Sequence, residues 1–300
     1  MFHIFSSILF VYIFIFIGFI AKTIFKEQID SKTLTLVSVY FMQPFVSIWG
    51  FSTAKLSIEH LYIPILYFFI IAILLVPIAW LSKKIFKDKK DASIFAIAGF
   101  VGNTGNIGIP LGIALFGQES VIYTTLINIA NVVVVYGLGA YIYSRGSFSI
   151  KKSIKNMLKI PILPASLVAA TLNILGITYE PEIKEMLKMG AYHGIVLQLF
   201  LLGTFLQTIK IKKINYKLFS SVLALKFIAI PLLTYIILLP LPIDNLVKSI
   251  LLMQMLTPLA VANINLASLY NCKPEVVTAL ILFSTLLFIL VIGIFSYLIF

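Results

Sequence analysis

The sequence is short of charge, of arginine and of cysteine. Only 11% of its 300 residues are charged and 61% are hydrophobic, where soluble domains carry about 25% charged residues. A water-soluble domain is excluded, and the mean hydropathy of +1.07 agrees. The single cysteine, Cys272, excludes an intrachain disulfide and a cysteine-built metal site. Arg145 is the one arginine among 23 basic residues, a skew that points to an AT-rich genome and a prokaryotic source. The eleven acidic residues all fall between or at the ends of apolar runs. With no carboxylate near a bilayer centre, a cation antiporter built on an intramembrane aspartate pair is disfavoured. So is a prenyltransferase that holds magnesium on aspartate clusters. No His-Glu-x-x-His or Gly-x-Ser-x-Gly motif occurs, and His3, His60 and His193 are scattered. An enzyme is not expected, nor a cofactor or a bound metal.

What is present is long apolar runs, continuous instead of alternating, which fits helical spans and not a β-barrel. The expected fold is an all-α polytopic membrane protein of ten transmembrane helices, near 4–21, 34–52, 61–81, 92–116, 121–143, 160–178, 187–208, 217–239, 247–270 and 276–299. The start of the chain has no basic n-region, so it is expected to open the first span and not a cleaved signal. Eighteen basic residues lie in the odd-numbered connections and four in the even ones, with Lys226 alone inside a span. By the positive-inside rule the odd connections face the cytoplasm and both termini lie outside. A multi-pass protein of the plasma (inner) membrane follows. Its net charge of +12 is then explained by topology, with anionic lipid headgroups and not nucleic acid as the partner.

The halves echo one another at an offset of 154 residues: Pro77 with Pro231, Phe116 with Tyr270, Thr124 with Thr278, Leu126 with Leu280. Gln43 and Gln198 correspond with a slip of one. The expected organisation is a first five-helix repeat over 1–143, a linker over 144–159 and a second repeat over 160–300. An odd number of spans per half inverts the second copy, an arrangement that recurs in secondary transporters.

Spans four and nine are the polar ones. Span four reads Gly99-Phe100-Val101-Gly102-Asn103-Thr104-Gly105-Asn106-Ile107-Gly108-Ile109-Pro110. Glycine and proline there make an unbroken helix costly, so two half-helices are expected, with Pro110 in the first turn of the second. Span nine, Leu256-Thr257-Pro258-Leu259-Ala260-Val261-Ala262-Asn263-Ile264-Asn265, should do the same from the opposite side. If the junctions cross, Asn103, Thr104, Asn106, Thr257, Asn263 and Asn265 surround one site beside exposed half-helix N-termini, which suit a carboxylate. Gln43 and Gln198 line a substrate path or bond between helices. Asn128 and Asn131 share a face of span five and could back the break in span four. Lys226 snorkels to an interface, stands in for a coupling cation, or faces an anionic substrate.

The segment Asn103-Thr104-Gly105-Asn106-Ile107-Gly108-Ile109-Pro110-Leu111, with the later Pro258-Leu259-Ala260-Val261-Ala262-Asn263 and Ala267-Ser268-Leu269-Tyr270, resembles the auxin efflux carrier family. Bacterial malate-permease-like transporters belong to that family too. Thr257 stands where the family usually has methionine before the proline. The resemblance implies a fold shared with bile-acid/sodium symporters. Spans one, two, six and seven would form a scaffold, possible site of a homodimer contact, and the others a transport core moving elevator-fashion with the crossing as substrate site. The expected function is secondary transport of a small organic anion, a mono- or dicarboxylate, by alternating access. The alternatives are a sodium-coupled symporter of the bile-acid type and a membrane sensor that binds without carrying.

Overall fold

The structure is a computed structural model that describes residues 2–53, 55–144, 161–208 and 215–299. Of the expected linker, Ser144 alone is among them. Lys210, Lys212 and Lys213 also lie outside the described residues.

The described residues are almost entirely helical. In order come α1 (Phe2–Phe25), α2 (Ser31–Val37), α3 (Gln43–Ser52), α4 (Tyr62–Ile85), α5 (Lys89–Ile97), α6 (Gly108–Phe116), α7 (Ser120–Val133) and α8 (Ala140–Tyr143). Then follow α9 (Ile162–Ile174), α10 (Pro181–Phe205), α11 (Tyr216–Ala224), α12 (Ile230–Leu238), α13 (Asn245–Leu256), α14 (Ala262–Leu269) and α15 (Pro274–Ile299). Wider π turns join α2 to α3 (Ser38–Met42), α7 to α8 (Val134–Gly139) and α11 to α12 (Leu225–Ala229). Two of these turns stand just before a proline at the second position of the next helix, Pro44 and Pro231. Proline offers no N–H and crowds the preceding turn, and the bulge absorbs both effects.

Six helical stretches among the described residues are long and apolar enough to cross a membrane: Thr33–Ser52, Glu59–Ile85, Ser120–Tyr143, Pro181–Phe205, Tyr216–Leu238 and Pro274–Phe295. The spans expected to be broken are interrupted, between α5 and α6 and between α13 and α14. None of those four pieces exceeds 12 residues, which at 1.5 Å per residue is too short to cross alone.

The chain divides into two compact units, 1–64 with 105–129 and 157–207, and 65–104 with 130–156 and 208–300. The division interleaves the two expected halves and falls between Thr104 and Gly105. Spans one, two, six and seven all lie in the first unit, which also takes 105–129.

The first unit is packed through glycines. A Cβ on Gly18 would stand 2.0 Å from the carbonyl oxygen of Phe200, and one on Gly203 1.9 Å from that of Ile15. Backbone therefore meets backbone between α1 and α10, as small residues permit in membrane helices. Gly190 leaves room for the Phe45 ring, and Gly194 lies against Met42. Single hydrogen bonds fix the register, Gln198 Nε2 to Ser38 Oγ at 2.7 Å and Ser31 Oγ to Thr204 Oγ1 at 2.9 Å.

The second unit buries Ile94, Ile97, Phe100, Leu259, Val277 and Leu280 as its core. Its lysine-rich end is closed by ion pairs. Lys273 reaches Asp88 at 2.6 Å and the buried Asp91 at 2.5 Å. Asp88 also caps α5 by accepting from the Lys90 N–H. The hydrogen bond from Lys273 holds the Asp88 carboxyl below the usual carboxylate range. Burial pulls the Lys273 ammonium down, but its bonds to the two aspartates outweigh that and leave it raised.

Candidate functional site

The site is built where two helices stop. In span four, α5 ends at Ile97 and a glycine-rich turn follows, in which the Gly102 N–H donates back to the Phe100 carbonyl at 3.0 Å. In span nine the stop is proline chemistry. Thr257 adopts φ −51°, ψ 143°, the extended form that a following proline imposes, and α13 ends at Leu256. Both stops free backbone groups that must be paired inside the protein.

The freed groups find each other. Gly102 lies antiparallel to Leu259, with the Asn103 N–H donating to the Pro258 carbonyl at 2.8 Å and the Ala260 N–H to the Val101 carbonyl at 2.9 Å. The Leu259 N–H is taken by Ser284 Oγ at 3.1 Å. Asn131 Nδ2 donates to the Gly102 carbonyl at 2.8 Å, and its Oδ1 accepts from the Tyr67 hydroxyl at 3.1 Å. Asn263 Nδ2 donates to the carbonyls of Val101 and Ala260 at 3.0 and 3.1 Å, while its Oδ1 accepts from the Tyr143 hydroxyl at 3.0 Å. Two asparagines thus tie a two-stranded bridge into the helices around it.

Lys226 completes the arrangement. It sits in the π turn before Pro231, 1% exposed, and its Nζ donates to the Gly99 carbonyl at 3.0 Å. A Cβ on Gly102 would lie 3.2 Å from that Nζ and 2.7 Å from Thr257 Oγ1, so glycine at 102 leaves the room that the ammonium and the hydroxyl use. No acidic side chain pairs with Lys226 among the described residues. The interface-snorkelling alternative does not describe this conformation, because the ammonium stays buried on a break carbonyl.

Of the residues singled out in the sequence, Asn103, Thr104, Thr257, Pro258, Asn263, Asn265 and Lys226 fall in the second unit, and all but the half-buried Asn265 are buried there. Gln43, Asn106, Pro110 and Gln198 fall in the first unit. Gln43 Nε2 donates to Asn106 Oδ1 at 3.0 Å, and Gln198 bonds to Ser38. Pro110 is the third residue of α6, in its first turn as expected. Pro258 is not the counterpart it was expected to be. It precedes α14 by four residues and serves the bridge through its carbonyl, because extended Thr257 and the pairing with Asn103 hold it out of the helix. Asn263 was expected to offer its amide to an anion, but both of its amide protons are spent on backbone carbonyls.

Tyr67, Tyr143, Ser284 and Gln254 were not singled out from the sequence. The two tyrosines pass for interfacial aromatics, and only tertiary pairing brings them to the asparagines. Gln254 carried a usable signal, an amide between two methionines in an apolar run. It is fully buried, and neither side-chain amide atom has a hydrogen-bond partner.

A family model described as membrane transport protein matches residues 3–153 and 145–296. The chain belongs to this membrane transport protein family. The match bears out the resemblance to the auxin efflux carriers. The chain is similar to an uncharacterized transporter of Methanocaldococcus jannaschii, 25% identical over 97% of each chain. Multi-pass membrane insertion follows from the family and the apolar helices together.

Proposed function

We propose that this membrane transport protein is a secondary carrier of a small organic anion, a mono- or dicarboxylate, with its anion seat at the bridge of the second unit. One observation carries the reading: the fully buried lysine Nζ of Lys226, without an acidic partner among the described residues, beside a break whose polar groups are buried in protein. An uncompensated buried charge is costly, and a bound carboxylate would compensate it. Asn103, Thr104 and Thr257 stand beside the bridge as polar neighbours of that seat, while Asn263 and Asn131 hold the bridge. At 1% exposure the cation is reached only when the protein opens, which alternating access supplies. The ten-span count rests on the six long helices, the 24-residue α1, α9 and the two interrupted pairs. Both termini outside is the orientation that the lysine distribution supports.

The Lys226 bond to the Gly99 carbonyl also favours transport that needs no sodium, since the lysine Nζ already satisfies a break carbonyl. The test is uptake of labelled malate and an indole carboxylate by proteoliposomes, with and without sodium. Saturable uptake indifferent to sodium is expected, abolished in Lys226→Met and reduced in Asn103→Ala with folded protein retained. Uptake strictly dependent on sodium would favour the symporter, and saturable binding without flux the sensor.

A further inference from the structure

The lysine-rich end of the second unit holds a pocket of about 600 Å³ between the end of α4, the start of α5 and α8, inside the roughly 300–1,000 Å³ of ligand-holding pockets. Its rim carries Lys83, Lys87 and Lys89, all exposed. The nearest acids along the chain, Asp88 and Asp91, are held by Lys273. None of the three rim lysines has an ion pair among the described residues, so three positive charges stand at the rim uncompensated. Behind them the wall is mostly apolar and rich in small residues, Ala79, Ala92 and Ala96 with Ser82 and Ser93, whose short side chains leave a groove between α4 and α5.

The same helix α4 carries an exposed apolar face one turn away, where Ile73, Val76 and Trp80 are 43%, 72% and 60% exposed. Lys84 lies over the Trp80 ring at 3.7 Å, and tryptophan beside lysine at a helix end marks the headgroup level of a membrane. A charged rim beside a largely apolar slot, on a helix with an exposed apolar face, matches a molecule with an anionic head and a hydrocarbon tail. A soluble anion would use the lysines and leave the alanine groove unfilled, at a cost in lost contacts.

We propose that this pocket is a binding site for one anionic phospholipid, its phosphate on Lys83, Lys87 and Lys89 and an acyl chain along Ala79, Ala92 and Ala96. Basic pockets between membrane helices recognise such headgroups in general. The site is separate from the bridge and stands or falls independently of the anion carried.

Native mass spectrometry of the full-length detergent-purified protein with phosphatidylglycerol or phosphatidylcholine of identical chains tests this. One phosphatidylglycerol per chain should be retained in preference to phosphatidylcholine. K83Q/K87Q/K89Q should weaken that retention on the order of a hundredfold, about fivefold per lysine. Ala79→Trp, which keeps every charge and fills the groove, should abolish it, and it decides the matter should the triple variant fail to fold. K55Q/K184Q/K188Q, an equal loss of charge at exposed lysines that do not line the pocket, should leave retention intact. Equal retention of phosphatidylcholine, equal loss in the second triple variant, or displacement of the lipid by millimolar inorganic phosphate would each overturn the proposal.

Discussion

The two units solve close packing in opposite ways. In the first, α1 and α10 touch backbone to backbone because Gly18 and Gly203 have no side chain to hold them apart. In the second, helices are stopped, and the freed backbone is bonded to its opposite number and to asparagines. Glycine buys proximity in one unit and, at Gly102, room for polar side chains in the other. Dry glycine contacts tolerate nothing extra, whereas a bridge held by side chains can be loosened one bond at a time.

Gly203→Ala should therefore be the most damaging of four changes. Its Cβ would meet the Ile15 carbonyl oxygen at 1.9 Å, and rigid backbone has to move. A loss of about 2–3 kcal/mol is expected even after the helix-propensity gain of about 1, read as denaturant unfolding in detergent. Asn263→Ala removes three hydrogen bonds, but Val101 and Ala260 each keep one backbone donor on the carbonyl. The expected loss is about 2 kcal/mol, at about 0.6 for each bond in a membrane setting. If it exceeds that of Gly203→Ala, the contrast between the units fails.

Gly102→Ala sharpens the comparison, because the new Cβ crowds side-chain atoms, Thr257 Oγ1 and Lys226 Nζ, while the nearest backbone atom, the Gln254 carbonyl oxygen, stays at an ordinary 3.7 Å. Stability should fall by about 1 kcal/mol or less, while uptake falls further as the ammonium is pushed aside. Unchanged uptake would separate Lys226 from the carrier's work.

Lys273→Met should have the smallest effect, under about 1 kcal/mol, because Lys273 and Asp88 are partly exposed and the buried Asp91 keeps its hydrogen bond from Asn215. Its pH dependence has a definite sign. The depressed Asp88 carboxyl contributes above its ordinary 3.8 and stops contributing as pH falls through its lower folded value. The raised Lys273 contributes fully below its ordinary 10.5, until pH rises through its higher folded value. The gap between wild type and variant should be flat at neutral pH and close at both extremes, as equilibrium unfolding across pH would show.

The places where spans four and nine break were legible in the sequence, since Gly-rich Gly99–Gly108 and Thr257-Pro258 carry their own backbone cost. How the breaks are repaired was not. Nothing local to Val101 or Ala260 announces that they will pair, because that bond depends on two helices meeting 150 and more residues apart in the chain. Asn131 behind the Gly102 carbonyl agrees with its reading as a backing residue for span four, whereas Asn263 drew attention as a ligand and turned out to be a clamp. Lys226 stood out through its charge, yet its partner Gly99 was invisible until the π turn before Pro231 placed it. The glycine contact of α1 with α10 left only single small residues in apolar runs, a pattern shared by many membrane helices.

A charged lysine at the buried Lys226 position has an electrical consequence. A charge crossing the whole bilayer exchanges about 2.3 kcal/mol with every 100 mV of membrane potential. On the proposed reading the anion seat carries one positive charge when empty, none with a monocarboxylate and one negative charge with a dicarboxylate. Voltage would then act on the empty return stroke for the first cargo and in both strokes for the second. The current carried per turnover would reveal the valence of the cargo before its chemical identity is known.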